Sequence, residues 1–482
     1  MPTMSNDRPN IVYILADDWG YGDVSCLNAE SKIPTPHTDR FASQGMTFTD
    51  AHSNSAVCTP TRYGVLTGRY CWRGRLKRGV LGGYDDLLIE DGRMTVASLL
   101  RDAGYRTACV GKWHLGLGWV RDGDDKQAGV MRDWGEDATV RFDQPLTAGP
   151  HTVGFDYSFI IPASLDIPPY CYIENGRVLD RPMGHVDGSD RPAFWRAGAC
   201  ARGLEHQTCL LELTMRAEQF IADHAREGSA APFFLYLPLP SPHTPHVPRK
   251  PFRGASQCGT YGDYVVEHDW SIGRVLETLD RHGLSDDTLV VITSDNGAHM
   301  RGTDGAGSFD YEREFGHRSN HIYRGQKSDA WDGGHRVPFF ARWPGRIEAG
   351  SSCDQPVCLT DLLATCAHVL GVDVPADVGE DSVSMLPLLD GGAEPTRTEV
   401  VHHSISGQFA IRRDRWKLLE CAGSGGWSLP DSDAVAADAP PMQLYDMAAD
   451  PAEQHNVIDA HRDVADALSA ELNRIRGDDA KA

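Results

Sequence analysis

Four short runs of apolar and β-branched residues mark the first two thirds of the chain: NIVYILA over 10–16, RTACV over 106–110, PFFLYLPL over 232–239 and TLVVITS over 288–294. They are continuous rather than alternating, the pattern of strands buried on both faces of a parallel sheet. Between them lie stretches of helical period. Residues 95–104 read as an amphipathic helix closed by Gly104, and 263–283 place Val265, Ile272, Leu276 and Leu279 on one face before Gly283. One further strand is predicted over 337–342, ahead of Trp343-Pro344-Gly345, with a helix over 361–370. The rhythm predicts an α/β fold whose large, mostly parallel sheet is sandwiched by helices.

Two regions depart from it. Residues 118–207, rich in Gly, Pro, Asp and aromatics, read as long excursions over the rim of the sheet. After Gly371 the pattern changes to two strands over 408–419 around a turn at Arg413-Asp414, a strand and turn over 444–457, and a helix over 460–476. The division expected is a catalytic domain over 1–371, with its insertion near 118–207, and a smaller C-terminal α/β subdomain over 372–482 with an antiparallel sheet and a terminal helix. The Gly-, Ser- and Asp-rich stretch 422–439 is expected to be a flexible loop without a motif.

Each of the four apolar runs ends abruptly in polar chemistry. The first runs into Asp17-Asp18, the second into Gly111-Lys112-Trp113-His114, the third into Ser241-Pro242-His243-Thr244-Pro245-His246, and the fourth into Asp295-Asn296-Gly297. Ligands of open α/β sheets bind beyond the carboxyl ends of the strands, so four such endings describe one active site. Asp17, Asp18, Asp295 and Asn296 offer only oxygen ligands, which select a hard cation, Ca²⁺ or Mg²⁺, over zinc.

The formal charge of -22 over 482 residues excludes a nucleic-acid partner, and it requires any anionic substrate to be held by local positive charge. No run is long enough to span a membrane, and the residues before the first strand carry no apolar leader region, so the chain as it stands reads as cytoplasmic; the alternative is a periplasmic or secreted protein whose signal has been removed. The twelve cysteines show no zinc-type pairing.

One cysteine stands apart. Cys58 lies two residues before Pro60 and four before Arg62, in CTPTRYGVLTGRY. With Asp17-Asp18, CTPTR, GKWHLG, PHTPH, SDNG, RGQKSDAWDGGHRVP and the LYD element at Leu444 to Asn456 in order, the chain resembles type I sulfatases of the alkaline phosphatase superfamily, nearest in pattern to bacterial carbohydrate sulfatases and arylsulfatases. The resemblance implies that a formylglycine-generating (sulfatase-maturating) enzyme oxidises Cys58 to formylglycine. It also implies that the modified residue joins Asp17, Asp18, Asp295 and Asn296 on the cation, with calcium favoured over magnesium. By resemblance Asp295 acts as base, Arg62 steadies the gem-diol, His114 assists elimination, and Lys112, His243 and Lys327 hold the sulfate. Either His243 or Lys327 protonates the leaving oxygen. His246, His299, His317 and Arg318 are further substrate-site candidates.

The implied substrate is a sulfated small molecule or glycan. Trp119, Trp134, Phe155, Tyr157, Tyr170, Tyr172 and Trp195 of the insertion either anchor the long loop to the core, the reading that suits most of them, or stack a sugar, a galactose or N-acetylgalactosamine 6-sulfate in the sharpest form of the expectation. The competing readings are a phosphodiesterase or phosphonate monoester hydrolase on the same fold, and a non-catalytic sulfoglycan-binding protein.

Overall fold

A computed structural model describes residues 8–123, 137–181, 183–190, 192–301, 310–431, 434–436 and 438–477. The first apolar run forms β1 (Asn10–Asp17), and its period-two side chains divide between two cores. Ile11, Tyr13 and Leu15 enter one core, while Val12, Ile14 and Ala16 enter the other. This division explains the absence of alternation in the sequence: both faces are covered.

The strands that follow are β2 (Met46–Phe48), β3 (Arg106–Lys112), β4 (Tyr157–Ile161), β5 (Ile173–Glu174), β6 (Arg177–Val178), β7 (Phe233–Pro242), β8 (Thr288–Ser294), β9 (Phe339–Arg342) and β10 (Ser351–Cys353). They make one sheet in the order β10-β2-β9-β8-β1-β7-β3-β4-β5-β6. Its centre, β8-β1-β7-β3-β4, is parallel, and antiparallel pairings flank it: β8 with β9 and β9 with β2 on one side, β4 with β5 and β5 with β6 on the other. On one face lie α1 (Cys58–Thr67), α2 (Val96–Asp102) and, later in the chain, α5 (Leu362–Leu370). The other face is covered by α3 (Cys209–Glu227) and α4 (Gly259–Arg281).

The insertion is more than a rim excursion. Its strand β4 pairs in parallel with β3, Ala108 opposite Tyr157 through Lys112 opposite Ile161, and extends the central sheet. Its aromatics largely serve that packing: Trp119, Phe155, Tyr170 and Tyr172 are buried, and Phe155 stacks on Phe234 and Tyr236. Tyr157 stacks on Phe220 and Trp195 on His206; Trp134 lies outside the described residues. Of the two roles open to these aromatics, the described ones take that of anchors, because large apolar rings gain more from the core than from the rim.

The C-terminal part adds β11 (Glu399–His403), β12 (Phe409–Arg413), β13 (Trp416–Leu419) and β14 (Gln443–Asp446), an antiparallel sheet covered on one side by α6 (Arg462–Arg476). Its other side packs Ala410, Leu419 and Tyr445 on Ala330 and Trp331. A buried polar chain crosses this junction. Lys417 Nζ donates to Asp332 (2.7 Å), to Glu453 (2.7 Å) and to His335 Nε2 (3.1 Å). His335 Nδ1 lies 3.0 Å from His52 Nδ1, and His52 Nε2 lies 2.7 Å from Asp50, which also holds Arg336 and Arg412. His402 stacks on His335. His52, Asp332 and His335 have metal-ligand spacing, but the lysine ammonium already supplies the cation there.

Burial holds His52, His335 and His402 below the ordinary imidazole value of 6.5. The unfolded chain therefore takes up their protons first as pH falls through 6.5, so the stability they contribute is full above that value and lost below it. Glu453 acts oppositely: burial raises it to about 7, so its protonated form is favoured in the fold. With His114, His206, His268 and His403, also held low by burial, these imidazoles outnumber the carboxyls that burial raises, Glu453, Asp295, Asp329, Glu267 and Asp269. The thermal midpoint should fall steadily between about pH 6.5 and pH 5, and Lys417→Met, which strands Asp332 in the interior, should cost about 3–5 kcal/mol. Calorimetry across that range tests this, and a midpoint that stays level or rises on acidification rejects it.

Candidate active site

The parallel centre of the sheet delivers its chemistry to one edge. β1 and β8 are neighbours in register, Ala16 opposite Ser294, so Asp17-Asp18 and Asp295-Asn296 leave the sheet side by side. Asp18 takes a left-handed φ of 65°, which swings its backbone N–H toward Asp295 Oδ1 at 3.2 Å. Asn296 Nδ2 donates to Asp18 Oδ1 at 2.7 Å. On the other side of β1, β7 leads to His243; β3, the next strand over, ends at Lys112. Gly111 takes φ 139° and lies so close to β7 that an added Cβ would sit 1.9 Å from the Pro238 carbonyl oxygen; glycine is required for Lys112 to reach the edge.

Cys58 is the first residue of α1, which Gly68 closes in a left-handed C-cap at φ 63°. Arg62, one turn later, lies on the same helix face. Its Nη2 donates to Asp295 Oδ2 at 2.7 Å, its Nε to the same oxygen at 3.1 Å, and its Nη1 to the Lys112 carbonyl at 3.0 Å. Lys112 Nζ donates to Asp17 Oδ2 at 2.5 Å, and Lys327 Nζ to Asp18 at 2.8 Å. All of these side chains are buried.

Three carboxylates (Asp17, Asp18, Asp295) thus face three cations (Arg62, Lys112, Lys327). Burial works against the charge of Asp17, yet Lys112, His243 and Arg62 hold it well below the usual carboxylate range. Burial, reinforced by Asp17, raises Asp295 to about 7. The Cys58 thiol is pushed up by burial to about 11 despite Lys112 and Lys327, so it is protonated and poorly nucleophilic at neutral pH.

The donor set fits a hard cation. Asp17 Oδ1 and Asn296 Oδ1 are buried acceptors that make no hydrogen bond, Asp17 Oδ1 having only the longer ion pair with Arg62 at 3.4 Å, on residues that border Asp18 and Asp295. Ligand atoms of Asp17, Cys58 and Asp295 lie within 4.8 Å of one another, as do those of Asp17, Asp18 and His243. Oxygens left without donors in a closed interior are costly unless a cation takes them.

Hydrogen bonds assign the ring nitrogens of His114 and His243. His114 Nε2 bonds the Leu81 carbonyl at 2.8 Å, which makes it the N–H and leaves Nδ1, buried and unpartnered, with the lone pair. Burial and the cations Lys112 and Arg62 keep His114 neutral, well below 6.5. His243 Nδ1 donates to the Thr244 carbonyl at 2.7 Å, and its Nε2 lies 3.7 Å from Asp18 Oδ2.

The remaining sequence candidates are placed elsewhere. His246 is buried against Tyr261 and bonded to the Tyr311 hydroxyl at 3.0 Å. His317 is fixed between Asp23 (2.7 Å) and the Lys32 N–H (3.3 Å), and exposed Arg318 pairs with Glu312 at 2.8 Å. These three are spent on partners of their own rather than aimed at Cys58. His299 is half-buried against Trp427, 5.0 Å between ring centroids, from the C-terminal part.

Sequence reading missed Ser164, Asp166 and Arg196. Asp166 is buried 3.8 Å from His243 Nδ1 and pairs with Arg196 at 2.6 Å, and Ser164 Oγ lies 3.3 Å from the same nitrogen. The signal was the apolar run YSFII before them; taken as loop, it hid the fact that Ser164 and Asp166 follow a strand to the same rim as Lys112.

Comparison with known proteins agrees with this geometry. The sulfatase family model matches residues 9–372, and the model of the N-sulphoglucosamine sulphohydrolase C-terminal region matches 326–478. An N-acetylgalactosamine-6-O-sulfatase of Bacteroides thetaiotaomicron is 34% identical over 98% of this chain and 94% of its own, and the steryl-sulfatase of Rattus norvegicus is 33% identical over 93% and 84%. A solved structure from work on the metabolism of multiple glycosaminoglycans by Bacteroides thetaiotaomicron superposes with a TM-score of 0.84 at 31% identity, covering 98% of this chain and 100% of that one. The family match spans every residue gathered around Cys58, and with the full-length relatives it makes the assignment plain: the chain belongs to the sulfatase family and is a sulfatase.

Proposed function

We propose that this sulfatase removes the sulfate of a sulfated carbohydrate, of the galactose or N-acetylgalactosamine 6-sulfate class, with Cys58 as formylglycine and Ca²⁺ as the ion. The observation that carries the sugar reading is the polar wall beside His243. Ser164, Asp166 and Arg196 suit a leaving group that bears hydroxyls, where a sterol would call for an apolar wall. The name of the N-acetylgalactosamine-6-O-sulfatase relative supports it. Oxygen-only donors and the two orphaned oxygens support a hard cation, which when bound would lower the proton affinity of an oxygen beside it.

The chain's own groups account for the chemistry. One hydroxyl of hydrated residue 58 gives its proton to Asp295 and its oxygen attacks sulfur. The S–O bond to the sugar breaks, and His243 or Lys327 protonates the leaving oxygen while Lys112 and the other of the pair hold the sulfate oxygens. The second hydroxyl then loses its proton to His114 Nδ1, the C–O bond to sulfate breaks, and the aldehyde is restored for rehydration. A serine or a thiol has no second hydroxyl and stalls after the first step. Three carboxylates balance three cations, so a divalent ion held by Asp17, Asp18, Asp295 and Asn296 would supply the net positive charge that an anionic substrate requires.

Cys58→Ala should lower turnover to background, and Cys58→Ser should accumulate a sulfated enzyme, a mass increase readable by intact mass spectrometry. Turnover by protein shown by mass to carry only the thiol would falsify the formylglycine assignment. In an Asp17→Ala, Asp18→Ala variant, metal content and activity should fall together, at least about a hundredfold in kcat/KM; plasma mass spectrometry of the bound metal identifies the ion, and full calcium occupancy in that variant is the contrary result. Finally, kcat/KM for N-acetylgalactosamine 6-sulfate should exceed that for 4-nitrophenyl sulfate, and an aryl ester cleaved far faster than every sugar removes the carbohydrate reading.

A further inference from the structure

The loop that follows α1 opens on a cleft of about 760 Å³, shared between the catalytic part and the C-terminal sheet. Five cations line it, Arg69, Arg73, Lys77, Arg78 and Arg476, with Glu380 as its one carboxylate among the described residues. On a chain of net charge -22, such a concentration is a local reversal of sign. Three of the cations are held by carboxylates: Arg69 by Glu380 (2.9 Å), Arg73 by Asp381 (2.7 Å) and Arg476 by Glu420 (2.6 Å).

The other two are uncompensated. Lys77 and Arg78 are exposed and pair with no carboxylate among the described residues; Lys77 Nζ donates to the Trp72 carbonyl at 2.6 Å. Two of the fixed arginines lie over aromatic rings: the Arg73 guanidinium is 4.6 Å over Trp72, Arg476 is 4.9 Å over Phe409, and the two rings meet edge to face at 5.4 Å.

The cleft is joined to the active site through two loops. Gly79 N–H donates to the Ile405 carbonyl at 2.8 Å, and Ile405 N–H to the carbonyl of Ser328, the neighbour of Lys327, at 2.9 Å. Two residues beyond Gly79, the Leu81 carbonyl orients His114.

We propose that this cleft is a second anion subsite that takes sulfate or carboxylate groups further along a sulfated oligosaccharide whose terminal sulfated sugar occupies the active site. The proposal rests on the carbohydrate reading for its ligand. The arginines held over Trp72 and Phe409 give a fixed wall of donors, and Lys77 and Arg78 give the uncompensated charge.

The test uses a Lys77→Ala, Arg78→Ala variant and its charge reversal, Lys77→Glu, Arg78→Glu, each in the full chain. On a Cys58→Ala background, titration calorimetry with a sulfated hexasaccharide at low salt should show affinity about three- to tenfold weaker in the alanine variant and weaker still in the reversal. The difference should vanish near 0.5 M NaCl and be absent for a neutral hexasaccharide that carries neither sulfate nor carboxylate. With Cys58 intact, KM for the hexasaccharide should rise by the same factor, while kcat and turnover of the monosaccharide 6-sulfate stay unchanged. Equal hexasaccharide affinity in wild type and charge reversal overturns the subsite, as does a matching loss on the monosaccharide. If wild type cleaves no sugar sulfate yet its hexasaccharide binding still depends on Lys77 and Arg78, the carbohydrate-sulfatase reading fails and the subsite stands.

Discussion

The structure is organised around the burial of charge at the carboxyl edge of its sheet. Three carboxylates and three cations lie there with almost no access to water, an arrangement that costs several kcal/mol per ion unless every charge is matched. The matching is supplied by topology. Because β1 lies between β8 and β7 in parallel register, Asp17, Asp18 and Asp295 emerge together, and the helix that starts at Cys58 presents Arg62 to two of them. Asp17 is shared by Lys112 and Arg62, and Arg62 by Asp17 and Asp295, so removal of one member unbalances the rest, and fold and site share the same requirement. The charges are thereby held in one fixed arrangement, with Lys112 on Asp17 and Lys327 on Asp18.

The parts of the fold legible in the sequence are those where burial and chemistry are both local. Residues 10–16 and 288–294 are apolar on both faces because β1 and β8 are sheet-central, and the polar residues that end them are contiguous in sequence. Helix α3, Cys209–Glu227, escaped notice although Leu213, Phe220 and Ile221 form a buried stripe, because it follows directly on an insertion that reads as loop. β9 was recognised as a strand, but its antiparallel pairing with β8 is set by the path of the chain between them, which no local pattern encodes. The same limit hid the histidines. His52, His335 and His402 lie hundreds of residues apart in part, and only the fold brings them onto one buried chain with Lys417.

The candidate site shows the same division. The residues at strand ends and in the CTPTR helix meet around Cys58 as their spacing implied, because strand direction alone determines where they point. His246, His317 and Arg318 were chosen for residue type near a motif, and each finds a nearer partner in Tyr311, Asp23 or Glu312. A polar side chain in a long loop is most easily satisfied by its neighbours, and residue type does not reveal whether it has been.

The C-terminal part, although it brings none of the groups around Cys58, is built into the site through Lys327. The backbone of the preceding and following residues is clamped from both sides: Ser328 N–H donates to the Ala56 carbonyl, two residues before Cys58, and the Ser328 carbonyl accepts from Ile405. Asp329, next along, accepts from the N–H groups of Gln326, Trp427 and Ser428, and Ala330 N–H donates to the Ser424 carbonyl. The stretch 422–439, expected to be a featureless flexible loop, therefore supplies in its first residues the backbone donors that seat the lysine loop, and it places Trp427 against His299. A lysine that must meet Asp18 at 2.8 Å in a closed interior cannot be held by a free loop. The small sheet is thus a structural condition for the charge balance around Cys58: it fixes the one cation of the three that no strand end or signature helix provides.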